Sequence, residues 1–298
     1  MGTNIENGIS PLQQDKISYL RCSEVEIDNV YQAFKIGFSD YIVKMEISKE
    51  DFISRFFGPE GNSLEHSFIA LYENDPVGVI LGGIKVYENI KTIRCGTLAI
   101  SPDFRGKGIS HKLFELHKEE AIKNGCKQLF LEVIVGNDRA TNFYKKLGYE
   151  KIYDLSYFSL ADLTDLNNNQ STSKVVVKCI EISEFQKTIQ KWDYHINWQN
   201  DLDYLIKIPT NVYYGAYIDN EIVGCIAANP TGKVSFMMVD QSQRIKGIGR
   251  YLLNTAIKEL DLPKVTISLP NNSLLEGFLN HLGFKKDSLS QYEMYLTL

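Results

Sequence analysis

The sequence predicts an α/β (α+β) protein of two domains, each a mixed, largely antiparallel sheet flanked by helices. Three observations predict it. A strand–loop–helix segment is written twice, as LAISPDFRGKGIS at 98–110 and MMVDQSQRIKGIG at 237–249. A second element follows each copy in the same order, NDRATNFYKKLGY at 137–149 and NNSLLEGFLNHLGF at 271–284, as a duplicated domain requires. Between the copies lies DLNNNQSTS at 165–173, polar apart from Leu166. Such a stretch buries too little apolar surface to order itself strongly. The domains are therefore set at 1–164 and 174–298, joined by a linker at 165–173. A chain of 298 residues lets each bury a core of its own.

Element by element, KISYLRC (16–22) reads as a strand and EIDNVYQAFKIGF (26–38) carries helical spacing of apolar residues. SKEDFISRFF (48–57) reads as a second helix, with Ser48 as N-cap and Asp51 three residues on. SFIALYE and PVGVILGGIKV form a hairpin around Asn74 and Asp75. TIRCGTLAI (92–100) is the next strand, followed by the glycine loop and a helix over 110–124. CKQLFLEVIV (126–135) is a strand of the buried type, and DRATNFYKKL (138–147) a helix stopped by Gly148. KIYDLSYFSL is expected as two short strands. The second copy repeats the order from KVVVKCI (174–180), with a hairpin at 212–228 turning on Asp219 and Asn220.

Composition narrows the class. Hydrophobic residues make up 44% and charged residues 23%, the balance of a soluble globular chain. No apolar run approaches the ~18–20 residues of a membrane span. The start, MGTNIENGISPLQQDK, lacks the basic and apolar regions of a secretion signal. Five scattered cysteines without a CxxC pair suit reduced thiols, and five histidines show no ligand spacing. The expectation is a cytoplasmic protein with no metal and no membrane partner. From Lys174 onward, 13 basic and 13 acidic residues balance, so the whole net charge of −5 falls in the first 173 residues. That disfavours nucleic acid as a partner and suits a cationic substrate such as an amine, or simply a solubilising surface.

The repeated loop is suited to anions. A strand feeding a glycine loop and then a helix directs backbone N–H groups and the helix dipole at one point. Two rival phosphate loops fail. GxxxxGK[ST] is absent, and the last glycine of GxGxxG is replaced by His111 in one copy and Leu252 in the other. The pattern that fits is R-x-x-G-x-[G/A/S], Arg105 to Ser110 and Arg244 to Gly249. Gly106 and Gly108 remove side chains where backbone must approach a diphosphate. Lys107 adds a cation, and Ser110 can cap the helix or donate to a phosphate oxygen.

On these residues the chain resembles a tandem member of the GNAT superfamily of acetyl-CoA-dependent N-acetyltransferases. The resemblance covers nearly the whole chain and is strongest over 92–149. It implies that Leu98, Ala99, Ile100 and the loop Arg105, Gly106, Lys107, Gly108, Ile109 and Ser110 bind acetyl-CoA. It further implies that Asn137 contacts the CoA arm, and that Tyr144, seven residues on, protonates the departing thiolate. Packing as a core aromatic is the other role open to Tyr144. Glu132 stands in the apolar strand LFLEVIV, where an unpaired carboxylate would be costly. Similarity to ribosomal-protein alanine acetyltransferases implies a general base there; a pair with a neighbouring Arg or Lys is the structural alternative.

The second copy departs from the pattern. Asn272 matches Asn137, but Leu279 takes the place of Tyr144, and Ile267 or Ser268 that of Glu132. It keeps a CoA-type loop in Arg244, Gly247 and Gly249 and loses both proton-transfer groups, so the expectation is a degenerate copy. Around 37–52, Asp40 and Glu46 are candidates to hold an ammonium, or are surface; Phe38 and Tyr41 are candidates to line a cleft. The implied function is acetyl transfer from acetyl-CoA to an amine, on a small molecule or a peptide N-terminus, by direct attack. The alternative is a non-catalytic acyl-CoA binding or sensing protein.

Overall fold

The structure is a computed structural model that describes residues 16–166 and 174–298. The linker expected at 165–173 thus falls mostly outside the described residues. By contacts the chain forms two compact units, one running to Ile152 and also taking in Glu293–Leu298, the other Tyr153–Tyr292. This division differs from the sequence division. It cuts inside a strand rather than at the polar stretch, and it assigns the last six residues to the first unit.

The first unit is built from β1 (Ile17–Arg21), α1 (Ile27–Gly37), α2 (Lys49–Phe56), β2 (Ser63–Tyr72), β3 (Asp75–Tyr87), β4 (Ile90–Ile100), α3 (Ile109–Lys123), β5 (Gln128–Ile134) and α4 (Asp138–Lys146). Strands β1 to β4 pair antiparallel in sequence order, and β5 joins β4 in parallel. The sheet is mixed and mainly antiparallel. Ser48 caps α2, its Oγ accepting from the Asp51 N–H at 3.0 Å. Helices α1 and α2 lay Val30, Phe34, Phe52 and Phe56 on Ile69 and Val79 of the sheet. Phe34 and Phe52 are buried, and each contributes about 2–3 kcal/mol by leaving water.

After α4 the chain enters β6 (Glu150–Leu160), one continuous strand rather than the two short ones expected. Its residues Leu155–Leu160 pair antiparallel with a later strand of the second unit, and that ladder keeps this half of the strand extended.

The second unit continues with β7 (Val176–Cys179), α5 (Ile182–Ile189), α6 (Leu202–Leu205), β8 (Val212–Ile218), β9 (Glu221–Ala228), β10 (Lys233–Val239), α7 (Ile248–Glu259), β11 (Val265–Pro270), α8 (Ser273–His281) and β12 (Lys285–Thr297). The β8–β9 hairpin turns on Asp219 and Asn220, both at positive φ (50° and 68°), as a two-residue turn matched to strand twist requires. Helix α7 packs Leu252, Leu253 and Ala256 into a core with Ile226, Val265 and Leu279.

Candidate active site

Strands β4 and β5 are paired only over Thr92–Arg94 and Gln128–Phe130. Beyond these residues β4 runs on to Ile100 and β5 to Ile134 with no pairing between them, so a cleft opens there. Glu132 shows the consequence. Its side chain is 2% exposed, while the residue as a whole is half-buried. The exposed part is therefore main chain, an open strand edge able to accept an extended ligand. Leu98, Ala99 and Ile100 form the β4 wall and pair on their other side with Ile80, Val79 and Gly78.

The glycine loop closes one end of this wall. A short 3-10 turn, Pro102–Phe104, leads through Arg105 to Gly108, the residue preceding α3. Gly106 and Gly108 both adopt left-handed backbone, φ 72° and 82°, and a Cβ on either would meet nothing within 4 Å. Space in front of the loop is open. No side chain caps α3, so the N–H groups of its first turn keep their hydrogen-bonding capacity. The capping role open to Ser110 is not taken up, because Gly108 holds the N-cap position and Ser110 lies inside the first turn. Lys107 sits with Nζ 4.8 Å from the Phe104 ring centre. Orphan N–H groups, a helix dipole and a nearby cation fit a diphosphate.

Arg105 has a different task from its neighbours. Its Nε donates to the Ile100 carbonyl (3.1 Å), and Nη2 donates to the Gly37 carbonyl (3.1 Å). Its two terminal nitrogens also grip Asp40 at 2.5 and 2.6 Å. The side chain braces the loop against the end of α1 and leaves the main chain to face the cleft. Asp40 is thus engaged by Arg105, whose hydrogen bonds hold its carboxyl below the usual range. Glu46 is exposed and pairs with Lys44 at 2.9 Å.

The second loop keeps the same frame. Arg244 Nε donates to the Val239 carbonyl at 3.0 Å, and Gly247 precedes α7 at φ 81°. Ile245, in the place of Gly106, is forced to φ 64° and is fully exposed. A branched residue pays a steric cost there. Gly249 leaves little room, since a Cβ would come within 3.1 Å of Phe278.

Asn137 and Asn272 act alike. Their Oδ1 atoms accept from the backbone N–H of Ala140 and Leu275, both at 3.2 Å, capping α4 and α8. Local capping thus accounts for the asparagine in both copies. Tyr144 is buried on α4, its ring 5.4 Å from that of Phe143 and 5.6 Å from that of Tyr149. Burial pushes its pKa well above 10, so the phenol keeps its proton at neutral pH. Burial likewise raises the Cys95 thiol to about 12.

Glu132 Oε2 accepts from Arg94 Nη2 at 2.6 Å, and Arg94 Nη1 reaches Glu60 Oε2 at 2.7 Å. Burial raises the Glu132 pKa, and Arg94 offsets only part of that. The other oxygen, Oε1, is buried and has no hydrogen-bond partner among the described residues. Arg94 and Glu60 are the members of this cluster that sequence reasoning missed. The signal for Arg94 was present: an arginine inside the apolar run TIRCGTLAI, beside a strand holding a lone glutamate. Among the described residues no group of His, Cys, Asp or Glu is arranged to hold a metal ion, and no helix is long and apolar enough to cross a membrane.

Two family models match the chain. The acetyltransferase (GNAT) family covers residues 27–149 and the acetyltransferase (GNAT) domain residues 181–298. Among curated proteins, an acetyltransferase of Pectobacterium atrosepticum is 31% identical over 84 residues, 28% of this chain and 57% of that protein. N-alpha-acetyltransferase 30 of Schizosaccharomyces pombe is 32% identical over 94 residues, 30% of this chain and 62% of that protein. The matches thus span about three-fifths of these relatives. Among solved structures, a tandem GNAT protein from the clavulanic acid biosynthesis pathway superposes with TM-score 0.69 at 15% identity, covering 94% of this chain and 98% of that one. A GCN5-related N-acetyltransferase from Sphaerobacter thermophilus gives 0.68 at 10% identity, covering 95% and 96%. At such identities the likeness is one of fold, and with a family model on each half the chain belongs to the GNAT family of acetyltransferases as a tandem, two-domain member.

Proposed function

We propose that the first unit transfers an acetyl group from acetyl-CoA to an amine by direct attack. The observation that carries this reading is Tyr144, a phenol that burial keeps protonated, on the helix that follows β5 in a unit whose β4–β5 cleft ends at an open glycine loop. In this reading the first-turn N–H groups of α3, the main chain of Gly106 to Ser110 and Lys107 hold the diphosphate. The open edge of β4 at Leu98–Ile100 receives the pantetheine arm. Tyr144 donates a proton to the thiolate as it leaves; a thiolate needs only a weak acid. The amine must lose a proton before attack, and Glu132 Oε1, buried and unpaired, accepts it directly or through a water. Direct attack is favoured because the thiol of Cys95, with its raised pKa, stays protonated and is a poor nucleophile.

An acetyl-CoA turnover screen over small amines and peptides with free N-termini, joined to a mass measurement of bound ligand, tests the proposal. Turnover with an amine above the rate of hydrolysis is the expected result. Binding of acetyl-CoA without turnover on any amine would instead support the sensing alternative.

A further inference from the structure

Where β4 and β5 stop pairing, side chains take over from main chain. Inside the short ladder, Gln128 Nε2 donates to Thr92 Oγ1 at 2.8 Å. Arg94 is the last β4 residue in that ladder, opposite Phe130. Glu132 stands on β5 past the end of the ladder, and Arg94 Nη2 reaches forward to its Oε2 at 2.6 Å. On its other side Arg94 Nη1 donates to Glu60 Oε2 at 2.7 Å, and Glu60 Oε1 lies 3.5 Å from Arg55 Nε of α2. The side chains of Glu60, Arg94 and Glu132 are all buried. Just beyond Arg94 the β3–β4 register skips Gly96, since Gly82 pairs with Cys95 and Leu81 with Thr97. Such a bulge bends its strand. No side chain fits at Gly96, because a Cβ there would come within 2.2 Å of Asn62 Oδ1. Arg94 thus spans the gap at the point where the two strands diverge.

We propose that Arg94 is a positioning residue which, clasped between Glu60 and Glu132, fixes the separation of β4 and β5 at their fork and so shapes the seat of the pantetheine arm. The inference rests on acetyl-CoA occupying this cleft, as proposed above. Stability alone does not account for the clasp. Taking these charges out of water costs about as much as their mutual attraction returns, and apolar side chains of similar volume serve a core as well or better. What a buried charge cluster supplies is geometry. A guanidinium is planar and presents its donors in a rigid fork. Two carboxylates held on different nitrogens therefore set where β5 stands relative to β4 and to the segment after α2. The glycine loop is braced separately, by Arg105 on Ile100, Gly37 and Asp40, none of them a member of the clasp. Diphosphate and arm should therefore respond differently when the clasp is broken.

Calorimetry on the full chain tests this with two probes. One is acetyl-CoA; the other is the nucleotide half of CoA, a phosphorylated ADP that carries the diphosphate and no arm. Arg94→Met should weaken acetyl-CoA by about tenfold or more and leave the nucleotide half within about twofold of wild type. Arg94→Lys keeps the charge without the fork and should recover only part of the loss. Glu132→Gln can still accept a hydrogen bond from Arg94 and should stay within about threefold of wild type, whereas Glu132→Leu should fall with Arg94→Met. Arg94→Met strands two buried carboxylates, so where it does not fold the combined variant Glu60→Gln, Arg94→Met, Glu132→Leu replaces it. With no buried charge left, that protein should melt close to wild type and still lose acetyl-CoA selectively. Wild-type affinity for acetyl-CoA in the folded combined variant would overturn the proposal. Equal losses on both probes would also overturn it, as a sign of general disorder. A wild-type protein that does not bind acetyl-CoA would overturn the reading of the cleft and this inference with it. Acetyl-CoA binding that is indifferent to the clasp would sink this inference alone.

Discussion

At the scale of the residue, the proposed reaction rests on Tyr144 and Glu132, which make different demands on the pH. The proposal uses Tyr144 in its protonated form, and its raised pKa keeps it so across the neutral range. Tyr144→Phe removes the proton donor and preserves the ring packing on Tyr149. kcat should fall roughly 10²-fold with little change in acetyl-CoA affinity. Near-normal kcat, with chemistry shown to be rate-limiting, would return Tyr144 to the core. Glu132→Gln keeps shape and removes charge. An amine with a pKa near 10.4 is almost wholly protonated at pH 7, and its free fraction grows about tenfold per pH unit. Log kcat/KM of the variant should therefore climb with a slope of about one where the wild type levels off. Parallel profiles would make Glu132 a structural partner of Arg94. The sequence made the spacing of Asn137 and Tyr144 legible. It did not reveal that Arg105 is engaged with Asp40, because a bond between residues 65 apart depends on how α1 docks on the sheet.

Among the elements, α3 shows how the loop is kept in place. Glu120 on this helix binds Arg21 Nη2 of β1 at 2.5 Å, His66 Nδ1 of β2 at 2.9 Å and Asn124 Nδ2 at 2.8 Å. Burial alone would raise its pKa, but the hydrogen bonds from Arg21, His66 and Asn124 outweigh burial and hold it at about 2, against 4.5 when unperturbed. A depressed carboxyl stabilises the fold fully above its unfolded value and loses that stabilisation as pH falls through the folded value. Glu120→Gln should therefore cost about 2–3 kcal/mol at pH 7, and the gap to wild type should close between about pH 4.5 and 2. Denaturant melts across that range check it; a gap independent of pH would mean packing rather than charge. Elements with local signals were readable in advance: the Ser48 cap, the hairpin at Asp219 and Asn220, the stop at Gly148; the first hairpin, expected at Asn74 and Asp75, turns one residue earlier, on Glu73 and Asn74. Single β6 was not, because the ladder that keeps residues 155–160 extended comes from Val265–Pro270, far along the chain.

For the whole molecule, duplication was legible and its division only in part. Polarity at 165–173 marks where the chain is least apolar, whereas contacts follow the sheets, and Met294 is fully buried as part of the first unit. The two copies share a loop frame down to the arginine brace, Arg105 on Ile100 and Arg244 on Val239. They differ at matching positions: Gly106 against a strained Ile245, Tyr144 against Leu279. The central claim is that acetyl-CoA chemistry belongs to the first copy, and a pair of valine substitutions tests it most directly. Valine at Gly108 puts a branched side chain into left-handed backbone in front of the open N–H groups; valine at Gly247 does the same in the second loop. With both proteins shown to be folded, acetyl-CoA binding by calorimetry and turnover are measured side by side. Gly108→Val should weaken binding by about 10- to 100-fold and lower turnover with it, while Gly247→Val stays close to wild type. A Gly247→Val protein without turnover, beside a Gly108→Val protein of unchanged affinity, would contradict the account.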